Sequence, residues 1–381
     1  MANQSVATPR FYLDFTQLAK AKGYVEDDTD QAYNVLDENG NLDQNNEKNN
    51  NVWDYDYTKT TNFTVQTSAI QHFTFLMPAF WRRNENVVSN NVVLEWAKLI
   101  STSNYAGVIN HNLYTAVDGQ SPLSLVPYFS SGLDHTWISP ITDIANTDNG
   151  VLNDGYSFVE FPQQTARINA EESEDIDIDL QNHRFSQFRL KIQTNNNQVH
   201  SSNINFDIGA ITFGKYIDMP HSPDLSVKKS VEYDGVNVKR SLGGADYVQV
   251  NHQGQPDWLV GEPWTLKNYP SNGRVGRNGR RSWDLDFSYI SNDDLFYDLS
   301  ERVVGGSATM DGDTEQFFDS TSEIQQIWDL TLGGALSFVF CPDKDATNLE
   351  FAVCRLDKDS LVATQVAYQT WNISMSVVEV W

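Results

Sequence analysis

Residues 281–290 have the sequence RSWDLDFSYI, in which large apolar side chains alternate with small polar or acidic ones. The apolar set is Trp283, Leu285, Phe287 and Tyr289, and the polar set is Asp284, Asp286 and Ser288. Successive side chains of a β-strand point to opposite faces, so a period of two indicates a strand with one buried and one wet face. This is the clearest amphipathic strand in the chain, and it predicts a β fold with the apolar set in a core.

The same period recurs in segments that precede this strand. It is found in NFTVQ (62–66), DIDIDL (175–180) and FRLKIQ (188–193). Three more strands are predicted near the end of the chain, in LSFVFCPD (336–343), FAVCRLD (351–357) and TWNISMSVVEVW (370–381). Clusters of Asn, Gly and Ser between such segments favour turns, and aromatic residues, 12% of the chain, favour pleated surfaces. The predicted fold class is all-β: a β-sandwich or jelly-roll module followed by a second β-rich domain with one or two short helices.

The length of 381 residues favours two domains, because a single hydrophobic core stops growing at about 250–300 residues. Residues 1–54 are predicted to form an N-terminal arm and an Asn-rich connector, since residues 37–51 are almost entirely polar. A short strand at 11–15 and a helical turn ending at Gly23 are expected in this arm. We expect the arm to dock either on its own body or on a neighbouring subunit.

The prolines Pro220 and Pro223 mark the boundary between a β-sandwich at 55–219 and a second β-rich domain at 220–381. The second domain is predicted to open with a hairpin whose turn is Asp234-Gly235. A helix is expected from Ser322 to Leu332, because apolar residues there are spaced by three and four, and the two following glycines can end it.

The chain is strongly acidic. It has 26 Lys and Arg residues against 51 Asp and Glu, a net charge of −25. Repulsion from phosphate disfavours nucleic acid and anionic membranes as partners. Membrane insertion is not expected either, because no run approaches the ~20 apolar residues that span a bilayer, and the N-terminus lacks the features of a secretory signal. The two cysteines, Cys341 and Cys354, are predicted to be buried thiols without a disulfide, as in a reducing cytoplasm.

No catalytic motif is recognisable, and the seven histidines are scattered without metal-ligand spacing. Two acidic segments resemble calcium loops, at 37–43 and 311–315. The first has Leu42 where an EF-hand needs Gly, and Lys48 where it needs Glu, so solvated turns are the favoured interpretation of both. We expect neither enzymatic activity nor a cofactor or metal ion.

One basic cluster stands out in the segment SNGRVGRNGRRSW (271–283), where glycines separate the arginines. Its members are Arg274, Arg277, Arg280 and Arg281. We interpret it as a subunit interface in which guanidiniums pair with carboxylates of an identical neighbour, for example the acidic face of 175–179. A mobile surface loop is the alternative. Binding of single-stranded nucleic acid is less favoured because no aromatic residue is interleaved with the arginines.

Several aromatic residues lie in polar, loop-like sequence contexts. The candidates for contact with a glycan or a protein partner are Trp53, Trp137, Trp258 and Trp264, together with Tyr55 and Tyr57. Aromatic rings stack on the apolar faces of sugars and also anchor protein interfaces. Packing in the core or in an interface is the commoner use of such rings.

The order of these segments resembles known phage proteins. SNYAGVINHNLYTA (103–116), FSQFRLKIQ (185–193) and INFDIGAITFGKYIDMP (204–220) resemble discoidin-like, galactose-binding-type jelly rolls of phage virion proteins. The second half, from DLSVKKSVEYDGVNVKRSLGG (224–244) through GRRSWDLDFSYIS to the terminal VVEVW, resembles phage tail-tip and distal-tail proteins. The resemblance covers residues 103–381 and rests on strand patterns without a catalytic signature.

The resemblance implies a virion structural protein of the distal tail or baseplate. Such a protein is made in the host cytoplasm, assembles as a ring of identical subunits, and docks other tail proteins and host surface glycans. A carbohydrate-binding receptor-recognition protein or a capsid decoration protein is the alternative. A glycan hydrolase is the third hypothesis, and it requires two carboxylates about 5–9 Å apart in a cleft.

Overall fold

The structure is a computed structural model, and it describes residues 6–22, 52–53, 55, 57, 60–65, 72–76, 100, 102–116, 123–130, 139, 155–161, 187–194, 204–232, 236–250, 280–296, 324–346, 350–358 and 360–380. The chain divides into two compact units. The terminal unit comprises Met1–Tyr12, Ile217–Asp298 and Thr321–Trp381, and the central unit comprises Leu13–Tyr216 and Leu299–Ser320. The chain passes between them at 216/217, close to the expected boundary at 219/220, whereas the first twelve residues group with the C-terminal part.

The prediction of an all-β fold with a few short helices is confirmed. The strands are β1 (Arg10–Asp14), β2 (Thr61–Val65), β3 (His72–Leu76), β4 (Tyr105–His111), β5 (Leu123–Ser130), β6 (Tyr156–Glu160), β7 (Gln187–Thr194), β8 (Ile204–Asp218), β9 (Lys228–Glu232), β10 (Val236–Arg240), β11 (Asp246–Val250), β12 (Arg280–Ser291), β13 (Phe338–Cys341), β14 (Ala352–Leu356), β15 (Ala363–Ala367) and β16 (Thr370–Glu379). The helices within the described residues are α1 (Phe15–Ala21), α2 (Leu113–Ala116), α3 (Asn292–Leu295) and α4 (Gln325–Leu330).

The central unit is a β-sandwich. In one sheet β4 lies between β6 and β8, and β2 pairs with the first part of β8; the other sheet has the order β3-β7-β5. The sheets face each other through Phe188 of β7 and Phe213 of β8, whose rings stack with centroids 4.1 Å apart. Phe188, Leu190 and Ile192 are all buried, as the alternation in FRLKIQ predicted.

The N-terminal segment forms the predicted strand and helical turn, and it docks on its own chain. Asp14 caps α1 by accepting a hydrogen bond from the backbone N–H of Gln17 at 2.7 Å. In the central unit Phe15 and Leu18 are buried, so one face of the helix belongs to the core. The first part of β1 is equally buried in the terminal unit, where Phe11 packs on Phe338 and Phe340.

The terminal unit is built on an antiparallel sheet with the order β13-β14-β16-β12-β9, and β15 also pairs with β16. Trp283 of β12 packs on Phe340 of β13 with ring centroids 5.2 Å apart. Helix α4 occupies the centre of the predicted 322–332 helix. It ends at Leu330, and the glycines Gly333 and Gly334 that follow take positive φ angles of 72° and 84°.

Strand β12 alternates as predicted up to Phe287 and then changes register. Trp283, Leu285 and Phe287 are buried, but Tyr289 is 78% exposed and Ile290 takes the buried position instead. A bulge between Phe287 and Ile290 in the pairing with β16 inserts one extra residue, and Tyr289 adopts a φ of 63° there. The prediction that Tyr289 faces the core is therefore wrong, because the bulge reverses the side that follows it.

The segment after Pro223 also pairs differently from the prediction. The expected hairpin around Asp234-Gly235 would join β9 to β10, but β9 pairs with β12, and β10 forms a separate two-stranded sheet with β11. The turn of this sheet is 241–245, so the SLGG motif makes the hairpin. Within the described residues no helix is long and apolar enough to span a membrane.

Candidate functional site

Two members of the arginine cluster, Arg280 and Arg281, lie in strand β12. Arg281 is buried in β12, where its Nε lies 3.0 Å from Glu379 Oε2 and its Nη2 lies 2.9 Å from Glu379 Oε1. Its Nη1 donates to Glu350, and its guanidinium lies 5.1 Å from the centre of the Trp283 ring. Burial alone would lower the pKa of Arg281, but Glu379 and Glu350 raise it overall. The guanidinium is therefore a fixed internal clamp.

The assignment of Arg281 to a subunit interface is consequently wrong. Arg280 is the first residue of β12 and stands opposite Glu232 of β9, in a strand and not in a loop. Arg274, Arg277 and the acidic segment 175–179 lie outside the described residues, so the interface prediction for those two arginines is untested. No local sequence pattern predicts that Glu350 and Glu379 pair with Arg281, because they lie 69 and 98 residues away from it in the chain.

Of the four tryptophan candidates, the structure describes Trp53. Trp53 is fully buried in the central unit, where its ring meets Phe188 edge-on with centroids 6.1 Å apart. The prediction that Trp53 contacts a glycan or a partner is wrong, and Tyr55 and Tyr57 are buried too. The other three candidates, Trp137, Trp258 and Trp264, lie outside the described residues.

A buried histidine and serine lie together in the central unit, but their geometry suits structure. His111 Nε2 is 3.0 Å from Ser157 Oγ, and His111 Nδ1 accepts from the backbone N–H of Leu113 at 3.2 Å. Since Nδ1 accepts, Nε2 carries the proton and donates to the serine, which is the opposite of what a general base requires. Burial lowers the pKa of His111 to about 3, which keeps the ring neutral.

The two acidic segments at 37–43 and 311–315, interpreted from sequence as solvated turns, lie outside the described residues. Among the residues that the structure does describe, no group of three His, Cys, Asp or Glu side chains has the spacing to hold a metal ion. Cys341 and Cys354 are buried free thiols, and burial raises the pKa of Cys341 to about 12.

The most unusual surface is the hairpin of β10 and β11, which we call the β10–β11 arm (236–250). Residues 237–240 and 242–249 are all exposed, and Ser241 is half-buried. Val238 and Val248 stand directly opposite each other and are 58% and 62% exposed. The arm thus adds almost nothing to the core of its own unit, although an isolated two-stranded hairpin is only marginally stable in water.

The tip of this arm is held by its own hydrogen bonds. The backbone N–H of Ser241 donates to Ala245 O at 2.8 Å, the N–H of Gly244 to Ser241 O at 2.9 Å, and the N–H of Ala245 to Ser241 Oγ at 3.0 Å. Gly244 has a φ of 85°, a left-handed conformation that favours glycine. Arg240 and Asp246 close the turn with an ion pair of 3.6 Å. These bonds present the fully exposed side chain of Leu242 at the end of the turn.

Charge also distinguishes the β10–β11 arm. It contains Lys239 and Arg240 against the single acid Asp246, so its net charge is +1, which leaves −26 for the rest of the chain. A weakly basic, partly apolar arm on an acidic protein is electrostatically complementary to the remaining surface of another copy.

A second feature of the terminal unit is a groove of about 440 Å³ beside α4, which we call the α4 groove. It is lined by Phe296, Gln325, Trp328, Asp329, Leu332, Gly333 and Leu361. Leu332 is 41% exposed and has a φ of 53°, a conformation that is rare for a leucine. Within the described residues the buried indole Nε1 of Trp328 has no hydrogen-bond partner.

Two exposed tyrosines lie at one end of the β12–β16 pair. Tyr289 is displayed by the bulge, and its backbone N–H donates to Asn372 Oδ1 at 3.1 Å. Tyr368 is 85% exposed in the tight turn that joins β15 to β16, next to Gln369 with a φ of 54°. Left-handed backbone at non-glycine residues is costly and often marks a functional surface.

Local sequence patterns indicate only one of these surfaces. SLGG between VNVKR and DYVQV is a turn signal, and with it the β10–β11 arm was predictable. No local sequence pattern predicts the bulge at Tyr289 or the α4 groove, because both depend on residues that are distant in sequence. No family model, curated protein or solved structure matches the chain.

Proposed function

We propose that the chain is a structural protein of a phage virion, a component of the distal tail or baseplate that assembles as a symmetric homo-oligomer and docks other tail proteins. Its role on this proposal is architectural and not catalytic. The resemblance of residues 103–381 to phage virion and tail proteins suggests the setting, and the all-β architecture suits it.

The observation that carries the proposal is the β10–β11 arm. Thirteen residues, 237–249, form a hydrogen-bonded hairpin that exposes Val238, Leu242 and Val248 to water. Burying such side chains against a partner is favourable by about 25 cal/mol for each Å² of apolar surface. A monomer gains nothing from this arrangement, whereas an assembly gains an interface.

The test is removal of the arm. Val236 and Val250 are cross-strand partners, so Gly-Ser-Gly in place of residues 237–249 can close the gap without moving the ends. We expect mass photometry and negative-stain imaging to show closed rings for the wild type and monomers for the shortened chain. Circular dichroism and the Tm of the monomer should hardly change, because the arm is exposed.

A matched control removes exposed valines elsewhere in the same unit. Val362 and Val366, 62% and 46% exposed, are replaced by threonine, and rings should persist. A wild type that stays monomeric at micromolar concentration, or rings that survive loss of the arm, would contradict the proposal.

A second candidate function is recognition of a carbohydrate, and the exposed tyrosine pair favours it. Sugar rings stack on aromatic faces, and Tyr289 and Tyr368 present two such faces at one end of a rigid sheet. Titration with oligosaccharides should quench tyrosine or tryptophan fluorescence in the wild type and not in the variant Tyr289→Ser/Tyr368→Ser. Unchanged titration curves in the variant would remove these residues from any glycan site.

A further inference from the structure

We propose that Leu242, at the tip of the β10–β11 arm, inserts into the α4 groove of a second copy of this chain. The inference rests on the proposed function, since it names the contact through which copies assemble. It joins an exposed leucine at a hairpin tip to a groove with both apolar and polar walls in the same unit of the next copy.

The tip of the β10–β11 arm presents a single large side chain. Leu242 is fully exposed, and the neighbouring Gly243 and Gly244 carry no side chains. A Cβ built on Gly244 would meet nothing within 4 Å, and one on Gly243 would meet only Ser241 Oγ, at 3.9 Å. The tip is therefore a single leucine side chain beside bare backbone, a shape that can enter a groove without steric conflict.

The groove offers complementary chemistry. Phe296, Trp328, Leu332 and Leu361 provide apolar walls, Gln325 and Asp329 provide polar ones, and the volume of about 440 Å³ is larger than a leucine side chain.

Charges at the two surfaces have opposite signs. Lys239 and Arg240 precede the tip, whereas Asp329 is exposed and lines the groove. On a chain of charge −25, an approach to another copy is repulsive unless basic groups lead. The β10–β11 arm supplies these groups beside Leu242, which favours a second copy of this acidic chain as the partner.

The proposed contact also limits the symmetry that an assembly of this chain can have. The arm and the groove are different surfaces, so a contact between them is heterologous, and each copy offers one arm and one groove. Heterologous contacts close into a ring when the rotation between neighbours divides a full turn. The contact thus supports the ring architecture of the proposed function.

The experiment uses two complementary full-length variants. Leu242→Asp places a charge at the tip of the β10–β11 arm, and Leu332→Arg places a charge in the α4 groove. Each should weaken self-association about tenfold to a hundredfold, the loss expected when one leucine is no longer buried. A 1:1 mixture should sediment as a heterodimer, because the intact arm of one variant meets the intact groove of the other and the chain of contacts stops there.

The controls are Leu225→Asp, which changes another fully exposed leucine, and Val366→Arg, which changes an exposed valine of β15. Both should assemble like the wild type. If the wild type forms rings but Leu242→Asp or Leu332→Arg leaves them intact, or if the mixed variants remain monomers, the contact is refuted and the proposed function stands. A monomeric wild type refutes the proposed function itself.

Discussion

Asp14 is a buried carboxyl with a structural task. It is only 4% exposed, it caps α1, and it accepts a hydrogen bond from the hydroxyl of Thr212, which in turn lies 3.1 Å from Tyr105 Oη. Desolvation raises its pKa to about 6, and the hydrogen bonds from Thr212 and Gln17 only partly oppose this. The folded protein therefore binds this proton more tightly than the unfolded chain does.

This raised pKa predicts that the folded protein loses stability as the pH rises from about 4 to about 6. The favourable contribution of Asp14 is fully present below pH 4 and is lost as the pH rises through 6. The shift of about two pH units corresponds to about 3 kcal/mol. Asp14→Asn keeps a capping oxygen and does not titrate. In urea titrations from pH 4 to pH 7, the wild type should lose about 3 kcal/mol relative to this variant. Parallel profiles would show that the carboxyl titrates normally, and Asp284→Asn, half-exposed, is the control.

Tyr289 shows the limit of predicting burial from the sequence of a single strand. The alternation over Trp283, Leu285 and Phe287 predicted their burial correctly, because each depends only on the period of the strand. The bulge depends on how β16 pairs across from β12, with Tyr289 N–H held by Asn372 Oδ1. The sequence pattern of one strand contains no information about the strand that pairs with it. The face on which each residue after the bulge lies therefore could not be predicted from β12 alone.

Among the elements, β12 and β16 are joined by both their backbone ladder and the Arg281–Glu379 clamp. Breaking one side of a buried ion pair leaves an uncompensated charge and costs about 3–5 kcal/mol, whereas replacing both charges by apolar groups is often nearly neutral. We expect Arg281→Met to lose that amount in urea unfolding and Arg281→Met/Glu379→Met to recover part of it. Full recovery is not expected, because Glu350 also loses Arg281 and is left with Lys229 at 3.8 Å.

The exposed pair Arg240–Asp246 is the matched control for this clamp. Arg240→Met should cost at most about 1 kcal/mol, as surface pairs do. An unchanged free energy of unfolding in Arg281→Met would return Arg281 to the exposed role that the glycine-rich sequence around it suggested.

Element by element, the strands and the short helix α4 follow from sequence because period and turn chemistry are local. Which strands become neighbours does not. Arg10 Nε lies 2.5 Å from Asp218 Oδ1, and Lys344 Nζ lies 3.0 Å from Asp218 Oδ2, so three distant segments meet within the terminal unit. This pairing places residues 6–12 with the C-terminal part, whereas the sequence alone predicts them as part of an N-terminal arm.

For the whole molecule, the charge of −25 governs how copies approach one another. At 0.01 M salt the Debye length is about 30 Å, and two such chains repel over their full width. At 0.15 M it is about 8 Å, so the repulsion between distant charges is largely screened. The close pairs that our proposal places between Lys239 or Arg240 of one copy and Asp329 of the next would retain most of their attraction at this salt concentration. At 1 M the Debye length is about 3 Å, and those exposed pairs weaken too.

Self-association should therefore depend on salt in a non-monotonic way. We expect the fraction of ring measured by sedimentation to rise between 0.01 and 0.15 M NaCl and to fall between 0.15 and 1 M. In Lys239→Gln/Arg240→Gln the attractive part is gone, so association should be weaker and should not fall beyond 0.15 M, since only screened repulsion and apolar burial remain. A steady decrease from 0.01 M in the wild type would mean that close ion pairs outweigh the repulsion of the whole chain, and the net charge would then have no part in controlling assembly.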